Sequence, residues 1–297
     1  MSLPDTASDP VVYAIPAFLV FLALEGLSYR HLSREQVQGE HRGYLAADAR
    51  TSLLMGVLSL VFTGATRIAA FFLYLALYDM TPLRLDSHRW TTWVVAIVGV
   101  DLLWYAYHRA SHRVRLLWAG HQVHHNSRYF NYATALRQKW NPWFELLAWT
   151  PLPLLGLPPW MIYTGFSINL IYQFWVHTER IPKLWRPFEF VFNTPSHHRV
   201  HHASDRQYLD RNYGGILIIW DRLFGTFAEE TARPTYGLTR NIDGYHLLTL
   251  QYYEYGAIWR DLRRARSWRE RMGYLFAPPY WEPVVSRRPR AASSATF

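Results

Sequence analysis

The chain contains no cysteine. That excludes iron–sulfur clusters, thiolate-ligated haem and thiolate zinc sites, and it removes any disulfide framework. No G-x-G-x-x-G follows a strand, and no P-loop occurs, so neither the dinucleotide fingerprint nor the phosphate cradle is present. No internal repeat is found. The first ten residues are polar and slightly acidic (Asp5, Asp9) and lack a basic start. No small-residue cleavage site follows the first apolar run, so no signal peptide is expected. Acids are missing where bases gather: 113–144 carries Arg113, Arg115, Arg128, Arg137 and Lys139 and no Asp or Glu.

The net charge of +9 fits either nucleic acid or an anionic membrane surface. The apolar runs decide for membrane and against nucleic acid. Half of the residues are apolar and 17% aromatic, yet the mean hydropathy is only -0.11. The apolar residues are segregated into runs between basic, histidine-rich stretches. Val11 to Tyr29 is long enough to span, with Pro16 inside and Glu25 near its end. A polar stretch with Arg30, Arg34, Arg42 and Arg50 follows. Ser52 to Tyr78 is apolar except for Arg67 and the Thr63-Gly64 pair. A bend near Gly64, with Arg67 reaching a headgroup, is expected there. Trp90 to Tyr107 runs directly into His108. Trp143 to Leu157 and Trp160 to Val176 flank Pro158-Pro159 and can enter and return as a hairpin. That returns His177 to the side of His108. The acid-free basic loop on that side makes it cytoplasmic by the positive-inside rule.

Histidine is what the chain has in excess. Ten of its 14 histidines lie between 108 and 202. His108 and His112 are spaced i, i+4. His121, His124 and His125 are spaced i, i+3, i+4, and His198, His201 and His202 repeat that pattern. Such positions share a helix face, so each group can aim two or three imidazoles at one point. His177 stands alone in QFWVHTE. Imidazole suits iron, copper and zinc. Nine ring nitrogens exceed one metal's needs, so two metals are the natural count. Thr194-Pro195 reads as the start of the helix that carries HHRVHH. Within it His197/His201 and His198/His202 are both i, i+4 pairs; the H-x-x-H-H match favours His198, His201 and His202. Asp101 shares a face with Tyr105, His108 and His112, where a carboxylate either orients an imidazole or pairs with an arginine. Ile216 to Trp220 is a buried strand or helix turn. Residues 258–272 form a basic amphipathic stretch with Trp259, Leu262 and Trp268, fit for an interfacial helix on anionic lipid. The tail 286–297 is expected to be disordered.

HRASH, HQVHH and HHRVHH resemble the boxes of the fatty acid hydroxylase/sterol desaturase superfamily of integral membrane non-haem diiron enzymes. WAGHQVHHNSRYFNYATALRQ, YQFWVHTE, FNTPSHHRVHH and RNYGGILIIWDRLFGTF are similar to the alkylglycerol monooxygenase branch. The resemblance covers roughly residues 90–230. It implies His108, His112, His121, His124, His125, His177, His198, His201 and His202 as ligands of two iron ions, with no catalytic residue beyond them. Asp101, Gln173 and His197 are candidates for supporting the ligands; relatives with an additional ligand carry a histidine at the place of Gln173. Arg113 and Arg128-Tyr129 stand where the animal branch carries acidic residues. The implied activity is dioxygen-dependent hydroxylation of an unactivated C–H bond in a membrane lipid or sterol. On an ether's alpha carbon this gives a hemiacetal that collapses. Desaturation is the alternative reaction, and a non-enzymatic metal-binding or transport protein the rival class. Electrons have to come from a reduced pterin or a separate electron-transfer protein.

The fold expected is an all-α, multi-pass integral membrane protein. It has about four to five membrane helices and a cytoplasmic helical cap holding a histidine-rich dimetal site. Residues 1–297 form a single domain: spans and the first histidine boxes over 11–176, a cap with the last box over 177–230, and an amphipathic, basic tail over 231–297.

Overall fold

The computed structural model describes residues 9–32 and 43–283. The expectations for Asp5, Arg34, Arg42 and the tail 286–297 lie outside the described residues. Thirteen helices are formed there, and no strand: α1 (Pro10–Arg30), α2 (Ala46–Asp79), α3 (Trp90–Arg113), α4 (Arg115–His125), α5 (Tyr132–Ala135), α6 (Trp143–Ala148), α7 (Pro151–Leu154), α8 (Pro159–Trp175), α9 (Arg186–Val191), α10 (Pro195–His201), α11 (Ile219–Leu223), α12 (Leu247–Arg264) and α13 (Trp268–Phe276). Two isolated bridges join Phe192 to Leu217 and Ala203 to Tyr236. Of the two forms expected of Ile216 to Trp220, the helix turn is the one formed, from Ile219 on; Leu217 makes only an isolated bridge and no strand.

Among the described residues α1, α2 and α3 are long and apolar enough to cross a membrane, with mean hydropathies of 2.0, 1.8 and 1.2. Their outward faces are apolar because their surroundings are: Leu19, Val20, Leu24, Val57, Val61 and Phe72 are all exposed. At 17 residues, α8 sits at the lower limit for a bilayer of about 30 Å.

α2 corrects one expectation. It runs unbroken for 34 residues. A Cβ on Gly64 would meet nothing within 4 Å, so this glycine faces open space and imposes no turn. Arg67 does not reach for a headgroup. It pairs with Asp9, and its guanidinium lies 5.6 Å from the centre of the Phe166 ring. A charge at that depth is costly unless paired. Asp9 also caps α1 by accepting from Val11 N at 3.0 Å, and it takes the Ser167 hydroxyl at 2.6 Å. One carboxylate therefore ties α1, α2 and α8 together.

The largest core lies where α3 crosses α8 and is covered by α6 and α7. Ala96, Val100 and Trp104 pack there against Trp149, Leu152, Met161, Ile162 and Phe166. Gly165 permits the close crossing: a Cβ on it would sit 3.2 Å from Val100 Cγ2. The amphipathic stretch expected over 258–272 is two helices, α12 and α13, divided at Ala265 to Ser267, and α12 begins already at Leu247. α12 lies on α4: Gln122 donates to Leu250 O at 2.8 Å, and Arg115 holds Glu254 and Asp261 at 2.7 and 2.8 Å. Ile258 is buried in this contact, while Trp259 and Trp268 face outward.

Candidate metal centre

Four segments bring the histidines together. α3 carries His108 and His112, and α4 carries His121, His124 and His125. His177 follows α8. α10 carries His198 and His201, with His202 at its C-terminal cap. Pro195 opens α10 as the sequence predicts, but the Thr194 side chain caps nothing; its hydroxyl turns to Glu189.

The nine rings fall into two groups. One holds His108, His112, His121, His125 and His201; the other holds His124, His177, His198 and His202. Within each, one ring nitrogen per residue lies within 4.8 Å of all the others. Chain neighbours part company: His124 and His125 serve different groups, and so do His201 and His202. The Nε2 atoms converge, with His108–His121 at 2.9 Å, His121–His125 at 3.1 Å, His124–His177 at 3.2 Å, His177–His198 at 2.9 Å and His198–His202 at 3.2 Å. Imidazole–metal bonds of about 2.0–2.1 Å place adjacent ligand nitrogens about 3 Å apart on an octahedron. The observed separations match that edge.

Tautomers point the same way. His108, His177 and His201 direct Nδ1 at the carbonyls of Tyr213, Gln173 and Arg211, at 2.8, 2.7 and 3.0 Å. A carbonyl only accepts, so the proton sits on Nδ1 and the Nε2 lone pair faces the group. Nε2 of His112 and of His201 is buried without a partner. Such an atom costs about 1–3 kcal/mol unless something takes it up. Burial pushes His177 down to about 3 and His201 to about 4. Burial, joined by the neighbouring rings, holds His121, His124, His125, His198 and His202 well below the usual range. Neutral rings with bare, converging lone pairs suit two metal cations.

The supporting candidates behave differently from one another. Asp101, fully buried, touches no imidazole and pairs with no arginine. It accepts from Ile216 N at 2.7 Å, Leu217 N at 3.0 Å, Trp220 Nε1 at 2.9 Å and Asn169 Nδ2 at 2.7 Å. It therefore acts on the loop whose Tyr213 carbonyl holds His108. Asp221 fixes the same loop, accepting from Tyr213 N and Gly214 N at 2.8 and 2.7 Å. Gln173 supports His177 through its backbone carbonyl, while its side chain donates to Asn169. His197 stands outside both groups, beside Thr194 Oγ1 at 3.3 Å and Glu189 Oε2 at 3.9 Å. Arg113 and Arg128 pair at the surface with Asp210 and Asp243.

Sequence reasoning missed the aromatic shell. Phe130, fully buried, lies over His177, His198 and His202 and is stacked from behind by Tyr236. Trp118 covers His112 and His125, and Trp104 covers His108. It also missed the buried pair Arg137–Asp48 at 2.5 Å, which joins α2 to the segment after α5. The signal was present in part, since Phe130 and Arg137 lie in the string that carried the resemblance.

Residues 93–226 match the fatty acid hydroxylase family. The chain is 40% identical to alkylglycerol monooxygenase of Danio rerio over 244 residues, 81% of this chain and 54% of that protein. It is 39% identical to alkylglycerol monooxygenase of Homo sapiens over 290 residues, 95% of this chain and 62% of the relative. An ornithine lipid hydroxylase of Rhizobium tropici is 30% identical over 191 residues, 57% of this chain and 55% of that protein. The chain thus spans a little over half the length of these relatives. No solved structure matches it. The segment that holds all nine converging histidines is thus a fatty acid hydroxylase domain, and alkylglycerol monooxygenases are among the chain's relatives.

Proposed function

We propose that this chain is a membrane-bound non-haem diiron monooxygenase that hydroxylates a C–H bond of a membrane lipid, and that the bond lies on the alpha carbon of an ether-linked alkyl chain. The observation that carries this reading is the division of nine neutral imidazoles into a group of five and a group of four. Two irons held by His108, His112, His121, His125 and His201, and by His124, His177, His198 and His202, supply dioxygen activation when bound. The balance is an ether, O2, two electrons and two protons giving a hydroxylated ether and water. The hydroxylated carbon is a hemiacetal and collapses to an aldehyde and an alcohol. The electrons come from a reduced pterin or an electron-transfer protein.

The chain's own residues do the rest. The carbonyls of Tyr213, Gln173 and Arg211 hold three imidazoles in the Nδ1–H form. Asp101 and Asp221 hold the loop that supplies the first of these carbonyls. Trp104, Trp118, Phe130 and Tyr236 close the space around the rings to water, which a strong oxidant requires. In this reading α1, α2, α3 and α8 cross the membrane, and the stretch with the short helices α6 and α7 returns the chain to the far side before α8, five crossings in all. The basic residues of 113–139 support a cytoplasmic side for the site, and α12 and α13 rest at the headgroup level.

The test is metal analysis joined to product analysis. The purified chain is expected to hold two irons and to convert alkylglycerol, dioxygen and reductant into a fatty aldehyde and glycerol. His124→Ala is expected to lose one iron and at least about 100-fold in turnover, while His197→Gln keeps both irons. Full activity in His124→Ala, or a product lighter by two hydrogens with no oxygen gained, overturns the reading.

A further inference from the structure

The loop after α10 serves one of the two histidine groups. Arg211 O accepts from His201 Nδ1 at 3.0 Å, and Tyr213 O accepts from His108 Nδ1 at 2.8 Å. Asp210 Oδ1 stands 3.9 Å from His112 Nδ1, while its other oxygen takes Arg113 at 2.9 Å. The Tyr213 ring closes over the same three imidazoles, 5.9 Å from His108, 5.2 Å from His112 and 5.9 Å from His201. All three belong to the group of five. Among the described residues, 210–213 make no hydrogen bond to His124, His177, His198 or His202; His177 is held by Gln173 on α8 instead.

The backbone takes this course through two strained residues. Asp210 has φ 61° and Asn212 φ 55°, in the left-handed region where a Cβ crowds the following carbonyl oxygen. Among residues with a side chain, Asn and Asp enter that region most readily, and here they occupy both positions. Such residues persist where the surroundings fix them, and they cluster at ligand clamps. Asn212 is fixed from several sides. It is fully buried. Its Nδ2 donates to His197 O at 3.1 Å and to Ala228 O at 2.8 Å, and its Oδ1 accepts from Ala228 N at 2.8 Å. Its backbone N donates to Thr226 O at 3.1 Å. His197 lies on α10, the helix that carries His201. The Asn212 side chain therefore pins the residue between the two carbonyls to the helix that carries one of their imidazoles.

We propose that Asn212 is a positioning residue for the five-histidine group alone. It holds the carbonyls of Arg211 and Tyr213 in place, and through them the Nδ1–H forms of His201 and His108, so that both Nε2 lone pairs face one metal. The group of four does not depend on it. The inference rests on the two-metal reading proposed above and adds that the two metals have separate supports. One can then be loosened without the other, whereas a residue needed only for folding loosens both.

The experiment uses the full iron-loaded chain in lipid nanodiscs, with iron withdrawn by a graded chelator. Asn212→Gly tolerates the left-handed backbone and removes the side chain that fixes it. Asn212→Asp keeps the acceptor for Ala228 N and removes both donors, and it is read alone if the glycine variant does not fold. Each is expected to weaken the binding of one iron by about 10- to 100-fold and to leave the other as it is in the unaltered chain. Two single-site backgrounds identify which iron responds. In His124→Ala the remaining iron sits in the group of five, and added Asn212→Gly or Asn212→Asp is expected to weaken it by the same factor. In His112→Ala the remaining iron sits in the group of four, and the same addition is expected to change nothing. Parallel weakening of both irons, equal loss in the two backgrounds, or unaltered iron binding in the Asn212 variants overturns the proposal. The selective loss in a chain that oxidises no lipid supports the positioning role and refutes the monooxygenase reading; lipid oxidation with parallel weakening does the reverse. A chain that binds a single iron overturns both.

Discussion

His124 and His125 are chain neighbours whose rings serve different metal groups. Their centroids are 5.4 Å apart and their planes nearly perpendicular. One turn of helix cannot put adjacent side chains at one point, so a doublet on a helix naturally feeds two sites. The same holds for His201 and His202. This is the residue-scale reason that the proposed site divides between two metals rather than crowding one. It carries a pH consequence. In the metal-free protein His177 and His201 titrate near 3 and 4, because burial opposes their charged forms. In the unfolded chain a histidine titrates near about 6.5. The folded value is the lower one, so the unfolded state binds more protons in acid. The stability carried by the neutral rings is complete above about pH 6.5 and is lost as pH falls from there towards 4 and 3. The chelator-stripped protein in detergent is expected to show a falling thermal midpoint between pH 7.5 and 5; a level midpoint across that window contradicts the burial argument.

At the scale of elements, the site depends on a carboxylate that never meets a metal ligand. Asp101 accepts four hydrogen bonds, three of them from the loop between Tyr213 and Trp220. Gly215 shows how tightly that loop is drawn onto α3: a Cβ there would stand 2.8 Å from Asp101 Oδ1 and 2.6 Å from Asn169 Nδ2. Asp101→Asn keeps the size but turns an amide NH2 towards donors. It is expected to cost about 1–3 kcal/mol of stability and to weaken metal retention through Tyr213 and His108. Chemical denaturation and iron content check both; an unchanged denaturation midpoint with full iron content contradicts the coupling. The elements that carry ligands were the legible ones. Spacings of three and four fix a helix face, so α3, α4 and α10 could be read from their histidines alone. The partition into groups could not, because it depends on how α10 is rotated against α3 and α4, and no local pattern records that. His197 against His198 was ambiguous for the same reason. Asp101 was found by its register on the helix, but its partners lie more than 60 residues away, beyond any periodicity argument. Gly64 misled because a glycine inside an apolar run reads as a break, whereas here it only faces outward; the Asp9 that pairs Arg67 lies outside the run.

For the whole molecule, the helix ends assign all nine converging histidines to one side. Glu25, near the end of α1, accepts from Tyr132 N at 2.9 Å and takes the hydroxyl of Thr178, next to His177. Asp48, at the start of α2, binds Ser127 Oγ at 2.7 Å and Arg137. α3 and α8 both end at histidines. At the opposite end Leu85 N donates to Gly156 O at 2.9 Å, joining the loop after α2 to the turn before α8. The chain therefore has a histidine end and a far end, and the basic residues of 113–139 collect at the first. With no native cysteine to mask, two single substitutions read the orientation directly. His88→Cys lies in the exposed far loop and Gln207→Cys at the exposed surface beside α10. In intact cells a membrane-impermeant maleimide is expected to label Cys at 88 and not at 207; inverted or permeabilised membranes reverse or remove the difference. Labelling of both positions from one side means that the spans between them do not cross as an odd number. In that case the far end is an interfacial shelf rather than the other face of a bilayer.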